Sequence, residues 1–266
     1  MGKMAIAFDR YREAAERLRT ALTAGTPCAP ILDLIDSTDV AGAYAVQEIG
    51  TTRALAEGRQ LSGRKIGLTS LAVQKQLGVH EPDFGMLFAD MAIMDGDEVS
   101  VGRLLQPRVE AEIAFVMGCG VEDAGVSADA LAAAVDYVLP ALEIVDSRIA
   151  NWRISLADTI ADNASSGLYV LGKSPRALHG LDLRLCGMVM ESDGQIVSTG
   201  VGAACLGHPL SALAWLAAKM AQVGRPLRAG DIVLSGALGP MVEVVPGHGY
   251  HAEVAGLGSV GVRFAG

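Results

Sequence analysis

One stretch of this chain limits what the rest can become: Gln106-Pro107-Arg108-Val109-Glu110-Ala111-Glu112-Ile113-Ala114-Phe115-Val116-Met117. Its polar and apolar residues alternate, and its second half is β-branched and aromatic, which is the pattern of a strand. Strand side chains alternate between faces, so Glu110 and Glu112 point the same way. Two like charges side by side on a sheet repel, and away from solvent they need a cation or a shared proton. A third carboxylate, Glu143, follows 31 residues after Glu112 in the apolar, strand-like segment Leu139-Pro140-Ala141-Leu142-Glu143-Ile144-Val145-Asp146. Buried carboxylates are rare unless paired or bound to a metal. An all-oxygen donor set suits a hard divalent ion such as Mg²⁺ or Mn²⁺. These residues alone leave two readings open: a divalent-metal centre, or the solvated face of an edge strand.

The chain has 266 residues, enough for one large domain or two small ones with a substantial core. Its net charge of −9, with no basic cluster, argues against nucleic acid or an anionic membrane surface as a partner. The first ten residues show no long apolar core before a cleavage site, and no window approaches about 18 apolar residues without a charge. The expectation is a cytoplasmic protein with no membrane span. The four cysteines, Cys28, Cys119, Cys186 and Cys205, are scattered with no Cys-x-x-Cys, and read as reduced, mostly buried thiols.

Phe8, Tyr11, Ala15, Leu18 and Leu22 step by threes and fours, which predicts an amphipathic helix ending near Gly25 and Pro27. A second helix is predicted from a Ser37-Thr38 cap through Val40, Ala43, Val46 and Ile49 to about Gly58. Together they make a helical N-terminal region, 1–60, ahead of a strand-rich region, 61–266. Gly63-Arg64-Lys65-Ile66-Gly67-Leu68-Thr69-Ser70 predicts a short strand, then a Ser70 cap for a helix to Leu77. The glycines flanking Lys65 let a ligand or another backbone come close. Residues 78–85 form a turn-rich loop in which Asp83 is either a cap or a positioned acid/base group. Residues 86–94 read as a strand, and Ser127 caps a helix reaching about Tyr137. Residues 158–167 are dense in small polar groups, able to hold a carboxylate or simply to connect a helix to a strand. The last hundred residues predict strands at 168–171, 185–190, 196–199, 231–234, 242–245 and 260–264, with one helix at 209–223. Helices first, then mixed strands with single helices, predict an α+β fold.

Three motifs lead nowhere. Gly256-Leu257-Gly258-Ser259-Val260-Gly261 matches G-x-G-x-x-G, but a dinucleotide site needs a helix opening from it, and only five residues follow. His248 and His251 are flanked by glycines and read as loop histidines. No serine sits in a G-x-S-x-G context.

Taken together, several segments carry a resemblance: 63–70, Gln76-Leu77-Gly78-Val79 with Pro82-Asp83-Phe84-Gly85, 106–112, 140–148, 158–167, Cys205-Leu206-Gly207-His208-Pro209, and Leu234-Ser235-Gly236-Ala237-Leu238-Gly239-Pro240-Met241. In order, and over nearly the whole chain, they resemble the 2-keto-4-pentenoate hydratase family, in the hydratase/decarboxylase branch of the fumarylacetoacetate hydrolase superfamily. The resemblance implies a curved mixed β-sheet core of the fumarylacetoacetate hydrolase C-terminal type. It implies a divalent metal, Mg²⁺ or Mn²⁺, and a homo-oligomer, often built on pentameric rings. It also allows a complex with a sister decarboxylase or a downstream aldolase. It maps metal ligation onto Glu110, Glu112 and Glu143, catalytic proton transfer onto Lys65 and Asp83, and substrate binding onto Ser165.

The implied activity is hydration of 2-hydroxypenta-2,4-dienoate to 4-hydroxy-2-oxopentanoate in meta-cleavage breakdown of aromatic compounds. The dienol ketonises to an enone, water adds at carbon 4, and the enolate is protonated. A Lewis acid holds the substrate carboxylate and 2-oxygen. A lysine beside the metal is expected to have a lowered pKa. Three rivals stand beside this reading. A 4-oxalocrotonate decarboxylase must bind a dicarboxylate, so an added cation near the substrate tail would favour it. In a C–C bond hydrolase the third ligand is commonly Asp, whereas position 143 is Glu. A silent partner of the decarboxylase fits poorly with an intact Lys65, Asp83 and three glutamates.

Overall fold

The computed structural model describes residues 2–77 and 79–266; Gly78, in the predicted 78–85 loop, lies outside them. Helices α1 (Gly2–Ala24) and α2 (Val40–Ala56) come first. The strands are β1 (Leu61–Gly67), β2 (Asp83–Phe88), β3 (Ala92–Ile93), β4 (Glu98–Val99), β5 (Pro107–Met117), β6 (Val135–Asp146), β7 (Ser166–Leu171), β8 (Gly187–Ser192), β9 (Gln195–Val201), β10 (Ile232–Leu234), β11 (Val242–Glu243), β12 (Gly249–Val254) and β13 (Gly258–Phe264). Helices α3 (Leu71–Leu77), α4 (Ala128–Ala134), α5 (Leu156–Ala161) and α6 (Pro209–Gln222) lie between them.

The larger sheet runs β2-β1-β10-β5-β6-β7-β3, with β11 on a separate stretch of β5. It is mixed: β1 with β10 and β3 with β7 are parallel, and the remaining pairs are antiparallel. The smaller sheet runs β4-β13-β12-β8-β9. The fold is α+β, a curled mixed sheet with a helical N-terminal region.

β5 and β6 form the spine, antiparallel from Pro107↔Asp146 to Met117↔Val135. The odd residues of β5, Val109, Ala111, Ile113, Phe115 and Met117, are completely buried. They join the main core with Leu142 and Ile144 of β6, Ala252, Val260 and Phe264 of the smaller sheet, and Leu213 and Leu216 of α6. The even residues face the opposite side. There Ala114 and Val116 build a smaller apolar cluster with Leu87, Leu139, Ala141, Tyr169 and Leu234. β5 is thus central and covered on both faces, which eliminates the solvated edge-strand reading of Glu110 and Glu112. The N-terminal helices have their own core, in which Ala14, Leu18, Ala43 and Val46 meet Ile149, Ala157 and Ile160 of the sheet region.

The structure departs from the sequence expectations in several places, each for a local reason. Asp39, not Ser37 or Thr38, caps α2, its Oδ1 accepting from Gly42 N at 2.8 Å; Thr38 is held instead by Asp36 in a local turn. Helix α4 stops at Ala134, and Tyr137 lies in β6 opposite Val116, so long-range pairing overrides an alanine-rich helical preference. The predicted 86–94 strand is β2, a 3₁₀ turn at Ala89–Met91, and β3. Asp83, Phe84 and Gly85, read as loop, are strand residues. His251 lies in β12 and not in a loop; Gly247 and Gly249 mask the strand, although Tyr250, Ala252 and Val254 alternate as buried residues.

Phe115 tests the two-sheet core. Removing a fully buried aromatic ring costs about 3–5 kcal/mol, so Phe115→Ala should lower the urea midpoint by that equivalent. A loss below about 1 kcal/mol would show that the sheets do not depend on this contact.

Candidate metal centre

The β5–β6 register sets Glu110 directly opposite Glu143, with Glu112 one pair further along the same face, opposite Ala141. One carboxylate oxygen from each of the three glutamates lies within 4.8 Å of the others. Glu112 and Glu143 are fully buried, while Glu110 is partly exposed, so the cluster opens to solvent past Glu110. Gly236 N donates to Glu112 Oε2 at 2.8 Å. Glu112 Oε1 and Glu143 Oε2 are enclosed and accept no hydrogen bond, and Glu143 Oε1 faces only Lys65. Lys65 Nζ stands 3.0 Å from Glu143 Oε1 as an ion pair.

Burial pushes all three carboxyls up. Glu110 is raised to about 7 by burial and by the charge of Glu143. Glu112 is raised well above the usual range by burial and by Glu143 and Glu110. Burial raises Glu143 against the pull of Lys65. Enclosed oxygens with no partner, in a group short of positive charge, fit the donor set of a divalent cation.

A loop aims the Gly236 N–H. The outer edge of β5 pairs with β10 at Ala114–Val116 and with β11 at Val109 and Arg108. Between them Ser235 N donates to Ile113 O and Leu238 N to Ala111 O, both at 2.9 Å. Gly236 has φ +94°, and a Cβ there would stand 2.3 Å from Thr69 Oγ1, so only glycine fits.

Lys65 reaches the same face by register, since it pairs with Leu234, which pairs with Ala114. Asp83 lies opposite Gly67, two residues on from Lys65. Burial alone would lower the Lys65 pKa, but the charges of Glu143, Asp83, Glu110 and Glu112 outweigh it and hold the ammonium above its ordinary value. The sequence expectation of a lowered value assumes a neighbouring cation, whereas the charges facing Lys65 here are carboxylates. Burial pushes Asp83 up against the opposing pull of Lys65.

Ser165 comes from a strained turn. Asn163, Ala164 and Ser165 all have φ between +50° and +55°, a left-handed run that non-glycine residues avoid. The surroundings hold it in place. Lys65 Nζ donates to Ala164 O at 2.9 Å. Asn163 Oδ1 accepts from Met86 N at 2.7 Å, and its Nδ2 donates to Met86 O at 2.9 Å. Just upstream, buried Arg148 pairs with Asp162 and donates to Asp146 O and Ser166 O at 2.7 Å. Gly85 leaves room for the turn, because a Cβ there would stand 2.3 Å from Asn163 O. The Ser165 hydroxyl is enclosed and has no partner.

The six predicted site residues therefore fall into two groups. Glu110, Glu112, Glu143, Lys65 and Asp83 share one sheet face, and Ser165 belongs to the turn whose Ala164 carbonyl contacts Lys65. Sequence reasoning missed Gly236, Gly67, Asn163 and the Arg148–Asp162 pair. Only the glycine spacing around Lys65 hinted at close packing there. A cavity of about 330 Å³ beneath α1 and α2 includes none of the six.

Residues 56–265 match the family model for the fumarylacetoacetate (FAA) hydrolase C-terminal region, in keeping with the curled sheet. The TodF product hydratase of Pseudomonas putida is 58% identical over 254 residues, covering 96% of this chain and 95% of that protein. A 2-keto-4-pentenoate hydratase of Paraburkholderia xenovorans is 53% identical over 256 residues, with 96% and 95% covered. The solved structure of 4-oxalocrotonate decarboxylase from P. putida G7, complexed with magnesium and adipate, superposes with a TM-score of 0.91 at 36% identity, covering 96% of this chain and 97% of that one. The chain belongs to the 2-keto-4-pentenoate hydratase family.

The electrostatics predict a pH signature. A carboxyl whose folded pKa exceeds its unfolded value binds more protons folded than unfolded between the two, so stability falls as pH rises through that window. For Glu110 the window runs from 4.5 to about 7. The melting temperature of EDTA-treated protein should therefore fall across it. Added Mg²⁺ binds the ionised carboxyls, so its stabilisation should grow with pH. Parallel curves with and without the ion would show that the three carboxyls do not gather around it.

Proposed function

We propose that this chain is a metal-dependent hydratase that adds water to 2-hydroxypenta-2,4-dienoate, giving 4-hydroxy-2-oxopentanoate. The observation that carries this reading is the convergence of Glu110, Glu112 and Glu143 with Lys65 and Asp83 on one enclosed sheet face. The 53–58% identity to hydratases, against 36% to a decarboxylase, supports water addition over loss of CO₂. The reading includes a homo-oligomer working in the cytoplasm.

Glu110, Glu112 and Glu143 would hold the ion, Mg²⁺ or Mn²⁺. When bound it supplies Lewis acidity toward an α-oxo acid. The chain's own groups bind the substrate and move protons. Ser165 Oγ, which has no partner within the protein, is free to hydrogen-bond the substrate. Lys65 is fixed between Glu143 and Ala164 O, so its ammonium is oriented and does not wander. Ketonisation takes the proton from the 2-hydroxyl and places one on carbon 5. Water then bonds to carbon 4, losing a proton, and carbon 3 gains one. Lys65 and Asp83 share these transfers, and each proton-transfer group of this kind is worth about 10²–10⁴ in rate. Gly67 keeps the carboxylate of Asp83 in position, because a Cβ at 67 would stand 2.1 Å from Asp83 Oδ1.

One observation favours the second reading, a decarboxylase. Arg108 sits two residues before Glu110 on the same face, partly exposed, with its guanidinium 4.5 Å from the centre of the Trp152 ring. A cation there would suit a second substrate carboxylate. The deciding assay incubates purified protein, Mg²⁺ and the dienol, and follows dienol absorbance, product mass and CO₂. A product heavier by one water and no CO₂ supports the hydratase; stoichiometric CO₂ from a dicarboxylate substrate supports the alternative.

Lys65→Ala and Asp83→Ala should each lose about 10²-fold or more in turnover while still binding Mn²⁺ by electron paramagnetic resonance. Full turnover in both would refute their assignment. Gly67→Ala should lose on the order of 10²-fold through displacement of Asp83, with a melting temperature close to that of the parent. An unchanged rate would show that the position of Asp83 is immaterial.

A further inference from the structure

On the opposite face of β1 from Lys65 lies a second, unassigned convergence of charge. Arg64 is 3% exposed. Its Nη1 donates to Gly63 O at 2.9 Å, and its Nε is enclosed with no hydrogen-bond partner. Outside the carboxylate cluster and its adjoining turn, it is the one buried side chain left with an unsatisfied polar atom among the described residues. A buried guanidinium without an ion pair is costly, and its Nε edge is shaped to meet two oxygens of one anion. Arg64 lines a cleft of about 490 Å³ with Arg225 and Arg228, from the turn after α6, and Asp231.

The charges do not balance. Arg225 is paired with Glu48. Asp231 Oδ2 accepts from the backbone N of Arg228, which leaves the exposed Arg228 guanidinium at the rim. Burial disfavours the charge of Arg64, Asp231 supports it, and Arg225 and Arg228 repel it. Three arginines line one cleft, and the deepest of them carries an unsatisfied Nε, which makes the cleft a candidate receptor for negative oxygens.

We propose that this cleft is a binding site for a small oxyanion, a phosphate or carboxylate group, held by the Arg64 guanidinium with Arg228 at the rim. The site is built on the strand that carries Lys65 but opens on its other face. An anion there neither meets the carboxylate cluster nor competes with the substrate.

The test uses the Mg²⁺-loaded enzyme. Melting temperature is followed against inorganic phosphate, with acetate as a second arm and potassium chloride at matched ionic strength as the baseline. The expected result is a saturable rise above the chloride baseline. A rise with phosphate assigns a phosphate ligand, and a rise with acetate alone assigns a carboxylate. Arg228→Gln, an exposed change, should raise the half-saturating concentration roughly tenfold through loss of one charge-assisted contact, with unchanged turnover. Arg64→Lys, which keeps the charge but loses the planar edge, should abolish saturation. A response no greater than that of chloride would overturn the proposal. So would an unaltered half-saturation in Arg228→Gln. Inhibition by phosphate that competes with the dienoate and is indifferent to Arg228 would place the anion at the carboxylate centre instead, and would also overturn it.

Discussion

Three glutamates and an aspartate share a nearly water-free surface with a single lysine. In isolation that arrangement is unstable, since each buried carboxylate loses hydration and repels the next. Much of the surrounding architecture exists to hold it regardless. The β5–β6 ladder fixes Glu110 against Glu143 by backbone pairing alone. The break between β10 and β11 admits a loop whose one backbone N–H is donated to Glu112 Oε2. The left-handed turn at 163–165 brings a carbonyl to Lys65, so its ammonium is gripped from two sides. None of these devices depends on flexible side chains reaching across space.

The same strand serves two purposes through its alternation. Odd residues of β5 bind the two sheets together, and even residues carry the carboxylates Glu110 and Glu112. A shift of one residue in register would exchange these faces, placing carboxylates in the apolar core. The eleven-residue ladder with β6 makes such slippage expensive, so the precision of the site rests on the stability of the sheet.

Glu110, Glu112 and Glu143 were legible because period-two alternation fixes side, and a carboxylate inside an apolar run demands a partner. Their strands were legible for the same reason. Lys65, Asp83 and Ser165 were reached through family resemblance, since nothing in a local pattern says that β1 lies between β2 and β10. β12 escaped notice because glycines dilute its signal, and β4 because a strand of two residues leaves no period. Gly236 was not legible as the donor to Glu112, because both its positive φ and the close approach of Thr69 appear only in three dimensions. The cap of α2 was misplaced by one residue because Ser, Thr and Asp stand in a row, and only three-dimensional geometry chooses among them.

β2 ends the larger sheet, and several of its outward backbone groups are occupied. Gln47 Nε2 donates to Phe84 O at 2.8 Å, and the carboxamide of Asn163 covers both groups of Met86. Unsaturated margins of this kind recruit foreign strands into fibres. Here two amide side chains imitate a neighbouring strand, so the segment that carries Asp83 is also shielded against self-polymerisation.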